Sequence, residues 1–261
     1  MFARAALQLP NLEKTSGERT HSALTGYRSS ELKDLQVGPL PGTVAEAVAI
    51  ERELPNATVL TGDQATENVL KTIEAPRILH IATHGFFLEN IEIANTNNRG
   101  LGLLLAEDSL VSAAPTSVTV ENPLLRSGLA LAGFNARSSG SEDGVLTALE
   151  AASLNLVGTQ LVVLSACETG LGDIANGEGV YGLRRSFAIA GAESQLMSLW
   201  LVSDDGTQNL MARYYEKLMD GMGRSEALRA TQLEMIDDEG LYSHPYYWAA
   251  FILAGNWRPL E

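Results

Sequence analysis

The sequence predicts an α/β fold in which a mainly parallel sheet is covered by helices on both faces. Two runs, Arg77–Thr83 and Leu161–Cys167, are apolar and partly β-branched, as strands buried on both faces of a parallel sheet are. Segments with helical spacing of apolar residues alternate with strand-like segments along the chain. This alternation indicates a parallel-dominated α/β domain.

The elements are predicted in chain order from their apolar spacing and their flanking turn residues. A helix opens at Pro41 and ends near Leu54. It is followed by strand Ala57–Leu60, helix Thr66–Lys71, the strand that leads to His84, strand Gly128–Gly133 and helical spacing over Leu146–Leu156. After the strand that ends at Cys167 come helix Tyr181–Ala190, strand Ser194–Trp200, helices Thr207–Met219 and Arg224–Met235, and strand Trp248–Leu253.

Three regions differ in composition. Residues 1–40 are polar and weakly periodic, which predicts a flexible leader or the remnant of a larger chain. Residues 41–258 carry the alternating pattern of the folded domain. Within that domain, residues 90–126 are rich in Asn, Ser and Thr around a candidate strand, Leu101–Leu105, and are expected to form an insertion or flap near the site.

Composition and charge exclude several classes of protein. The chain is 45% apolar and 19% charged, as ordinary globular domains are. One cysteine excludes an internal disulfide framework and fits a reducing compartment, so a cytoplasmic protein is expected. Apolar runs are shorter than the roughly 20 residues of a membrane span, and no signal-peptide pattern opens the chain, so no membrane partner is expected.

The net charge of −14, without a cluster of Lys or Arg, argues against direct nucleic-acid binding. An acidic surface instead favours basic partners, which is a modest argument for a peptide substrate that carries Arg or Lys.

A histidine and a thiol follow the two buried runs. His84 and Cys167 are separated by 83 positions, but the carboxyl ends of strands in an open α/β sheet meet at one edge, where active sites lie. A thiol with its ordinary pKa of about 8.5 is mostly protonated at neutral pH, and a nearby imidazole can take that proton and later return it to a leaving amine. The pair therefore predicts a cysteine peptidase.

Gly85 strengthens this interpretation. Because it has no side chain, its backbone N–H can approach a substrate carbonyl, and with the N–H of Cys167 it would form a two-donor oxyanion hole. The alternative is structural, since a lone thiol after a buried strand is commonly a small core residue and a histidine there a local hydrogen-bonding group. The histidine, glycine and thiol together leave the catalytic and the structural interpretations about equally supported, and the sequence around them adds weight to catalysis.

Two segments around these residues, Ile81–Phe87 and Leu164–Gly170, resemble the CHAT domain. The resemblance continues through Gly177–Gly179, Ala190–Glu193 and Met197–Trp200 to Trp248–Gly255, and it covers roughly residues 40–258. It implies a caspase-like three-layer α/β/α sandwich with a mostly parallel central sheet. It also implies a cysteine endopeptidase of the caspase, separase and gingipain group, which performs limited proteolysis of a specific protein.

The resemblance assigns roles to individual residues. His84 would be the general base, Cys167 the nucleophile, and Gly85 and Cys167 the oxyanion donors, without an acidic third member. In separase-like relatives an aspartate just after a Trp-bearing strand lies in the S1 pocket; Asp204 matches it, with Asp205 beside it. A carboxylate there would bind a P1 Arg or Lys. The open alternative is that Asp204 caps the following helix.

The resemblance also bears on partners. CHAT domains are commonly attached to tetratricopeptide repeats, so a protein or peptide substrate is expected, together with repeat regions or a regulatory protein; no cofactor is implied. The rival interpretation is a caspase-like interaction or scaffold module without peptidase turnover.

Two further motifs are weak. Gly170–Ala175 matches the dinucleotide pattern G-x-G-x-x-A, but Cys167, Glu168 and Thr169 stand between the apolar run and the first glycine, whereas that pattern occupies the tight turn itself. His80 and His84 form H-x-x-x-H, but no third ligand stands nearby as a zinc site would require. Neither a nucleotide nor a metal is therefore predicted.

Overall fold

The computed structural model describes residues 2–5, 32, 35–88, 123–165, 178–200 and 202–261. Three sequence predictions lie outside these residues: the nucleophile Cys167, the strand Leu101–Leu105 within the expected flap, and the glycine pattern Gly170–Ala175. The described residues form a six-stranded sheet in the order β2-β1-β3-β7-β8-β9 and a three-stranded sheet in the order β4-β5-β6.

The strands are β1 Phe2–Ala5, β2 Ala57–Leu60, β3 Ile78–Ile81, β4 His84–Phe87, β5 Ser127–Ala130, β6 Val145–Thr147, β7 Leu161–Leu164, β8 Ser194–Ser198 and β9 Phe251–Gly255. The helices are α1 Gly42–Glu53, α2 Glu67–Thr72, α3 Ala148–Ala151, α4 Glu178–Ile189, α5 Asp204–Met219 and α6 Arg224–Ile236.

The large sheet is mostly parallel. Strand β7 pairs in parallel with β3 on one side and with β8 on the other. Strand β1 is antiparallel to both β2 and β3, so β2 runs in the direction of the parallel core, and only β1 and β9 run against it. This confirms the predicted α/β class with a mostly parallel central sheet.

The two faces of the large sheet are covered by different layers. Leu161 and Val163 of β7 join the apolar core that contains residues of α1, α5 and α6. Val162 and Leu164 join the second core, with residues of α2, α4 and the small sheet. Successive side chains of a strand point to opposite faces, so burial on both faces requires the continuous apolar run that the sequence shows. The result is a three-layer arrangement.

The small sheet departs from the sequence prediction. The run that leads to His84 was expected to be one strand, but β3 ends at Ile81 and β4 begins at His84 in the other sheet. At the break, the Thr83 hydroxyl donates a hydrogen bond to the Ala130 carbonyl of β5, which ties the chain to the small sheet. Apolar spacing reveals that a segment is buried, not which sheet it pairs with, because pairing depends on distant residues.

Some residues before position 40 belong to the described fold, whereas the prediction of a flexible leader or remnant falls mostly on residues outside the described part of the chain. Phe2–Ala5 lie between β2 and β3 as a strand, and the side chain of Leu32 is 3% exposed. Leu35 and Val37 pack against the apolar cluster of the small sheet. These contacts are all made to residues far away in sequence, so no local periodicity signals them.

No helix among the described residues combines the length and apolar character required to cross a membrane.

A partly buried lysine links α2 to the hairpin that contains β6. Lys71 Nζ lies 2.7 Å from Glu67, 3.1 Å from Glu142 and 3.2 Å from Glu150. Glu67 Oε2 also accepts a hydrogen bond from the Gly144 N–H at 2.8 Å. Burial raises the pKa of Glu67 to about 7, against the lowering effect of Lys71.

The raised pKa of Glu67 predicts a pH dependence of stability. The folded chain holds this proton more tightly than the unfolded chain, whose Glu67 titrates near 4.5. This group's contribution to the free energy of unfolding should therefore fall as pH rises from about 4.5 to about 7. Glu67→Gln keeps an acceptor for Gly144 but cannot titrate, so it should lose less stability over that window than the wild type.

Chemical denaturation at several pH values between 4.5 and 8 measures this difference. Glu51→Gln, which removes an exposed carboxylate from α1, is the matched control and should keep the wild-type slope. A Glu67→Gln slope equal to that of the control would contradict the assigned titration.

Candidate active site

His84 lies where the chain passes from the large sheet to the small one, and its side chain is buried, with 6% of its surface exposed. Its Nε2 is 2.7 Å from the carbonyl oxygen of Gly38. A carbonyl can only accept, so Nε2 carries the hydrogen, and the neutral ring has its basic lone pair on Nδ1. This contact fixes both the plane of the ring and the nitrogen that can act as a base.

The strand that leads to Cys167 is the immediate neighbour of the strand that leads to His84. The Ser165 N–H donates to the Ile81 carbonyl at 3.0 Å, so the pairing of β3 with β7 continues to the residue after β7. Ser165 and His84 line the same pocket, together with residues at the beginnings of α1 and α5. The described chain thus brings His84 within one pocket of a residue two positions before Cys167.

The orientation of Gly85 follows from the hydrogen bonds of the small sheet. Gly85 faces Leu129 across the antiparallel β4–β5 pair, and the Leu88 N–H donates to the Arg126 carbonyl in the same register. Hydrogen-bonded and non-bonded pairs alternate along an antiparallel ladder, so Gly85 belongs to a non-bonded pair. Its N–H therefore points away from β5, on the open side of edge strand β4.

A buried carboxylate forms the floor of the pocket. Glu46 of α1 is 3% exposed, and its Oε2 accepts a hydrogen bond from the Ser165 hydroxyl at 3.1 Å. Its Oε1 lies 3.1 Å from Nε2 of His80, which is fully buried in β3. Glu46 therefore connects α1 with the neighbouring strands β3 and β7 directly beneath the candidate site.

Tyr215 completes this network. Its hydroxyl lies 3.0 Å from Nδ1 of His80. Burial raises the pKa of Tyr215 well above its ordinary value, so the phenol stays protonated and can donate to Nδ1. The two ring nitrogens of His80 thus face Tyr215 and Glu46 rather than His84.

Asp204 lines the same pocket but does not cap its own helix. Ser203 is the N-cap of α5, and its hydroxyl accepts from the Gly206 N–H at 3.1 Å. Asp204 Oδ2 instead accepts from the N–H of Gly42, the first residue of α1, at 3.0 Å. The alternative that Asp204 caps the following helix is wrong, because the preceding serine occupies that position; the carboxylate caps α1 from another element.

The approach of α5 to α1 is close. A Cβ atom added at Gly42 would lie 2.1 Å from the Cβ of Asp204, so only glycine fits there. Asp205, which the sequence pairs with Asp204, is exposed in the first turn of α5 and does not line the pocket.

Two groups that lie at the site were not predicted from the sequence. Gly38 acts through its backbone carbonyl, which has no side-chain signature. Glu46 does have one, because it stands one turn before Ile50 on the buried face of α1, where a carboxylate requires a buried partner. His80, inside an otherwise apolar strand, was the partner that this pattern could have identified.

The fold agrees with the comparison of this chain with known families. The CHAT domain model matches residues 3–256, and the chain belongs to this caspase-like family. Tetratricopeptide repeat protein 28 of Mus musculus is 26% identical over 220 residues, which is 84% of this chain and 9% of the relative. The protein of the same name from Homo sapiens is 26% identical over 221 residues, 84% of this chain and 8% of the relative. The chain thus spans less than a tenth of these relatives.

Two adjacent tyrosines test the network beneath the site. Tyr215→Phe removes the donor to His80 Nδ1 and leaves a buried acceptor unsatisfied, so we expect the free energy of unfolding to fall by about 1–3 kcal/mol. Tyr214 is equally buried, but its hydroxyl has no hydrogen-bond partner among the described residues. Tyr214→Phe is therefore the matched control and should change stability far less. Equal losses in denaturant titrations would contradict the assigned hydrogen bond.

Proposed function

We propose that this chain is a cysteine endopeptidase in which His84 is the general base and Cys167 the nucleophile, and that it performs limited proteolysis of a specific protein. The observation that carries the proposal is the fixed orientation of His84. Its Nε2 is held by the Gly38 carbonyl, and His84 lines the same pocket as Ser165, which follows the strand that leads to Cys167. A base oriented by a third group next to a nucleophile is the arrangement that acyl transfer requires.

Chain geometry supports the pairing of the two residues. Two trans peptide units span at most about 7 Å, so the backbone of Cys167 lies within that distance of Ser165. Ser165 lines the pocket that His84 also lines. This tether supports the proposal that the thiol meets the ring, with the basic lone pair on Nδ1 as the acceptor proposed for its proton.

The proposed reaction has two stages. The thiolate of Cys167 attacks the scissile carbonyl, and the N–H groups of Gly85 and Cys167 stabilise the oxyanion; each such donor is worth roughly 3 kcal/mol of barrier. The imidazolium of His84 then protonates the leaving amine, which leaves a thioester. In the second stage His84 takes a proton from water, whose oxygen attacks the thioester and releases the carboxylic acid and the thiol.

The pocket supports a basic P1 residue. It is lined by the carboxylates of Glu46 and Asp204, and no Lys or Arg is among the described residues around it. Because Glu46 is engaged by His80 and Ser165, the proposal assigns the P1 contact to Asp204, whose side chain is partly exposed. A guanidinium or ammonium of the substrate would provide the missing counter-charge.

Protein partners are also proposed. The two relatives are named for tetratricopeptide repeats, so we propose that repeat regions or a separate regulatory protein direct this domain to its substrate.

A peptide panel varied at P1 tests the proposed dyad. The wild type should cleave, while Cys167→Ala and His84→Ala should lose at least about a hundredfold in kcat/KM, since each removes an essential group. His244→Ala is the matched control, because His244 is exposed and its Nδ1 only accepts from the nearby Tyr246 N–H. A Cys167→Ala variant that cleaves like the wild type would overturn the proposal.

If the wild type cleaves none of the peptides, the reactivity of the Cys167 thiol distinguishes a peptidase that lacks its activator from an interaction module. Cys167 is the only cysteine, so its rate of alkylation by iodoacetamide at neutral pH is measured without interference. Rapid alkylation that slows in His84→Ala would support a dyad that awaits an activator. Slow alkylation would favour the interaction module without turnover.

A pair of neighbouring aspartates tests the P1 contact. Asp204→Asn can still accept from the Gly42 N–H, so the fold should persist while kcat/KM for P1 Arg or Lys peptides falls about tenfold or more. Asp205→Asn removes the same charge from an exposed position and should leave kcat/KM nearly unchanged. Full activity of Asp204→Asn on Arg peptides would contradict the assignment of Asp204 to the S1 pocket. If only Asp205→Asn lowered kcat/KM, the S1 contact would belong to Asp205 instead.

A further inference from the structure

The residues before α1 are held in place by a tight turn of another part of the chain. The side chain of Asn135 bonds the backbone of Val37 at two points: its Oδ1 accepts from the Val37 N–H at 2.9 Å, and its Nδ2 donates to the Val37 carbonyl at 2.8 Å. Val37 immediately precedes Gly38, whose carbonyl orients His84. The two bonds fix the peptide units on both sides of Val37, and the Gly38 carbonyl extends from the next peptide unit along the chain.

A second side chain of the same turn holds the segment farther upstream. Arg137 Nη2 donates to the carbonyl of Leu35 at 3.1 Å and also to that of Leu32. The guanidinium lies 4.1 Å from the ring centre of Phe134, which is buried in the apolar cluster with Leu32. The segment is thus fixed by its backbone carbonyls as well as by its apolar side chains.

The turn itself is well suited to hold a fixed position. Its 3₁₀ segment, Phe134–Ala136, lies between Gly133 and Arg137, which have φ angles of 86° and 51°. A Cβ atom at Gly133 would lie 1.8 Å from the Ser138 carbonyl oxygen, so the turn closes on itself. The Ser139 hydroxyl that follows accepts from the Glu67 N–H, which ties the turn to α2.

We infer that Asn135 is a positioning residue for His84: it sets the Gly38 carbonyl that keeps the hydrogen on Nε2 and the basic lone pair on Nδ1. Arg137 holds the same segment at its other end. The inference rests on the proposed function only for its catalytic consequence, because the effect on the tautomer of His84 is a property of the folded chain alone. Asn135 is exposed, so a purely structural role would contribute little there.

The primary readout is the tautomer of His84, measured by NMR of protein labelled with ¹⁵N-histidine at a pH where the ring is neutral. The chain has four histidines, and the His84→Gln variant assigns the signals. We expect the wild type to show one protonated nitrogen, Nε2, and Asn135→Ala to show averaging of both tautomers. Asn256→Ala is the matched control, since that side chain also bonds through both of its atoms, to Glu193 and to the Arg258 N–H.

The second readout is the pH profile of Cys167 alkylation. Asn135→Ala should shift the midpoint of the profile upward and lower the rate at pH 7 about tenfold, because a misoriented imidazolium stabilises the thiolate less. Asn256→Ala should keep the wild-type profile. Thermal unfolding of both variants separates these effects from a general loss of stability.

The outcomes are distinguishable. If the ¹⁵N signals of His84 in the Asn135→Ala variant are the same as in the wild type, the inference is overturned, even if the variant is less stable. A wild-type thiol that alkylates no faster than a free cysteine overturns the proposed dyad, while the NMR comparison, repeated in the Cys167→Ala background, still decides the role of Asn135. If Asn135→Ala does not fold, Asn135→Asp keeps the Oδ1 acceptor for the Val37 N–H, removes only the Nδ2 donor and allows the same comparison.

Discussion

The parallel pairing of β3 with β7 is the constraint on which the candidate site depends. Both strands are buried on both faces, so their register cannot slip without moving apolar side chains between the two cores. Their carboxyl ends consequently stay side by side, with His84 following one and Cys167 following the other. The hydrogen bond from the Ser165 N–H to the Ile81 carbonyl carries this register to the edge of the pocket.

The sheet alone does not orient the groups that follow its strands. Glu46 joins α1 to both central strands through Ser165 and His80, so the helix that borders the pocket is fixed to the pocket floor. The carboxylate of Asp204 fixes α5 to the first turn of the same helix. A buried polar network of this kind favours the arrangement in which its groups face one another, since other arrangements would separate them.

The sequence predicted the parts of the fold that local patterns determine. The helices α1, α5 and α6 and the strands β3, β7 and β8 were found from apolar spacing, and His84 from its place after a buried run. The transfer of β4 to a separate antiparallel sheet was not predicted, because Thr83 and Ala130 meet only in the folded chain. The contact of the Gly38 carbonyl with His84 could not be predicted, because every residue has a backbone carbonyl and the sequence does not show which one lies near the ring. Asp204 was found, but its acceptor role towards α1 depends on the packing of two distant helices.

The cluster around Lys71 has a consequence of a different kind. Three carboxylates from α2, the hairpin and α3 surround one ammonium group, a geometry in which many proteins use a dissociable divalent ion. Here the cation is the ammonium group of Lys71, so it cannot dissociate from the chain or be removed by a chelator. The turn that carries Asn135 is attached to α2 at Glu67. The link between α2, the hairpin and α3 is therefore supplied by the chain itself, and its strength follows the protonation of Glu67.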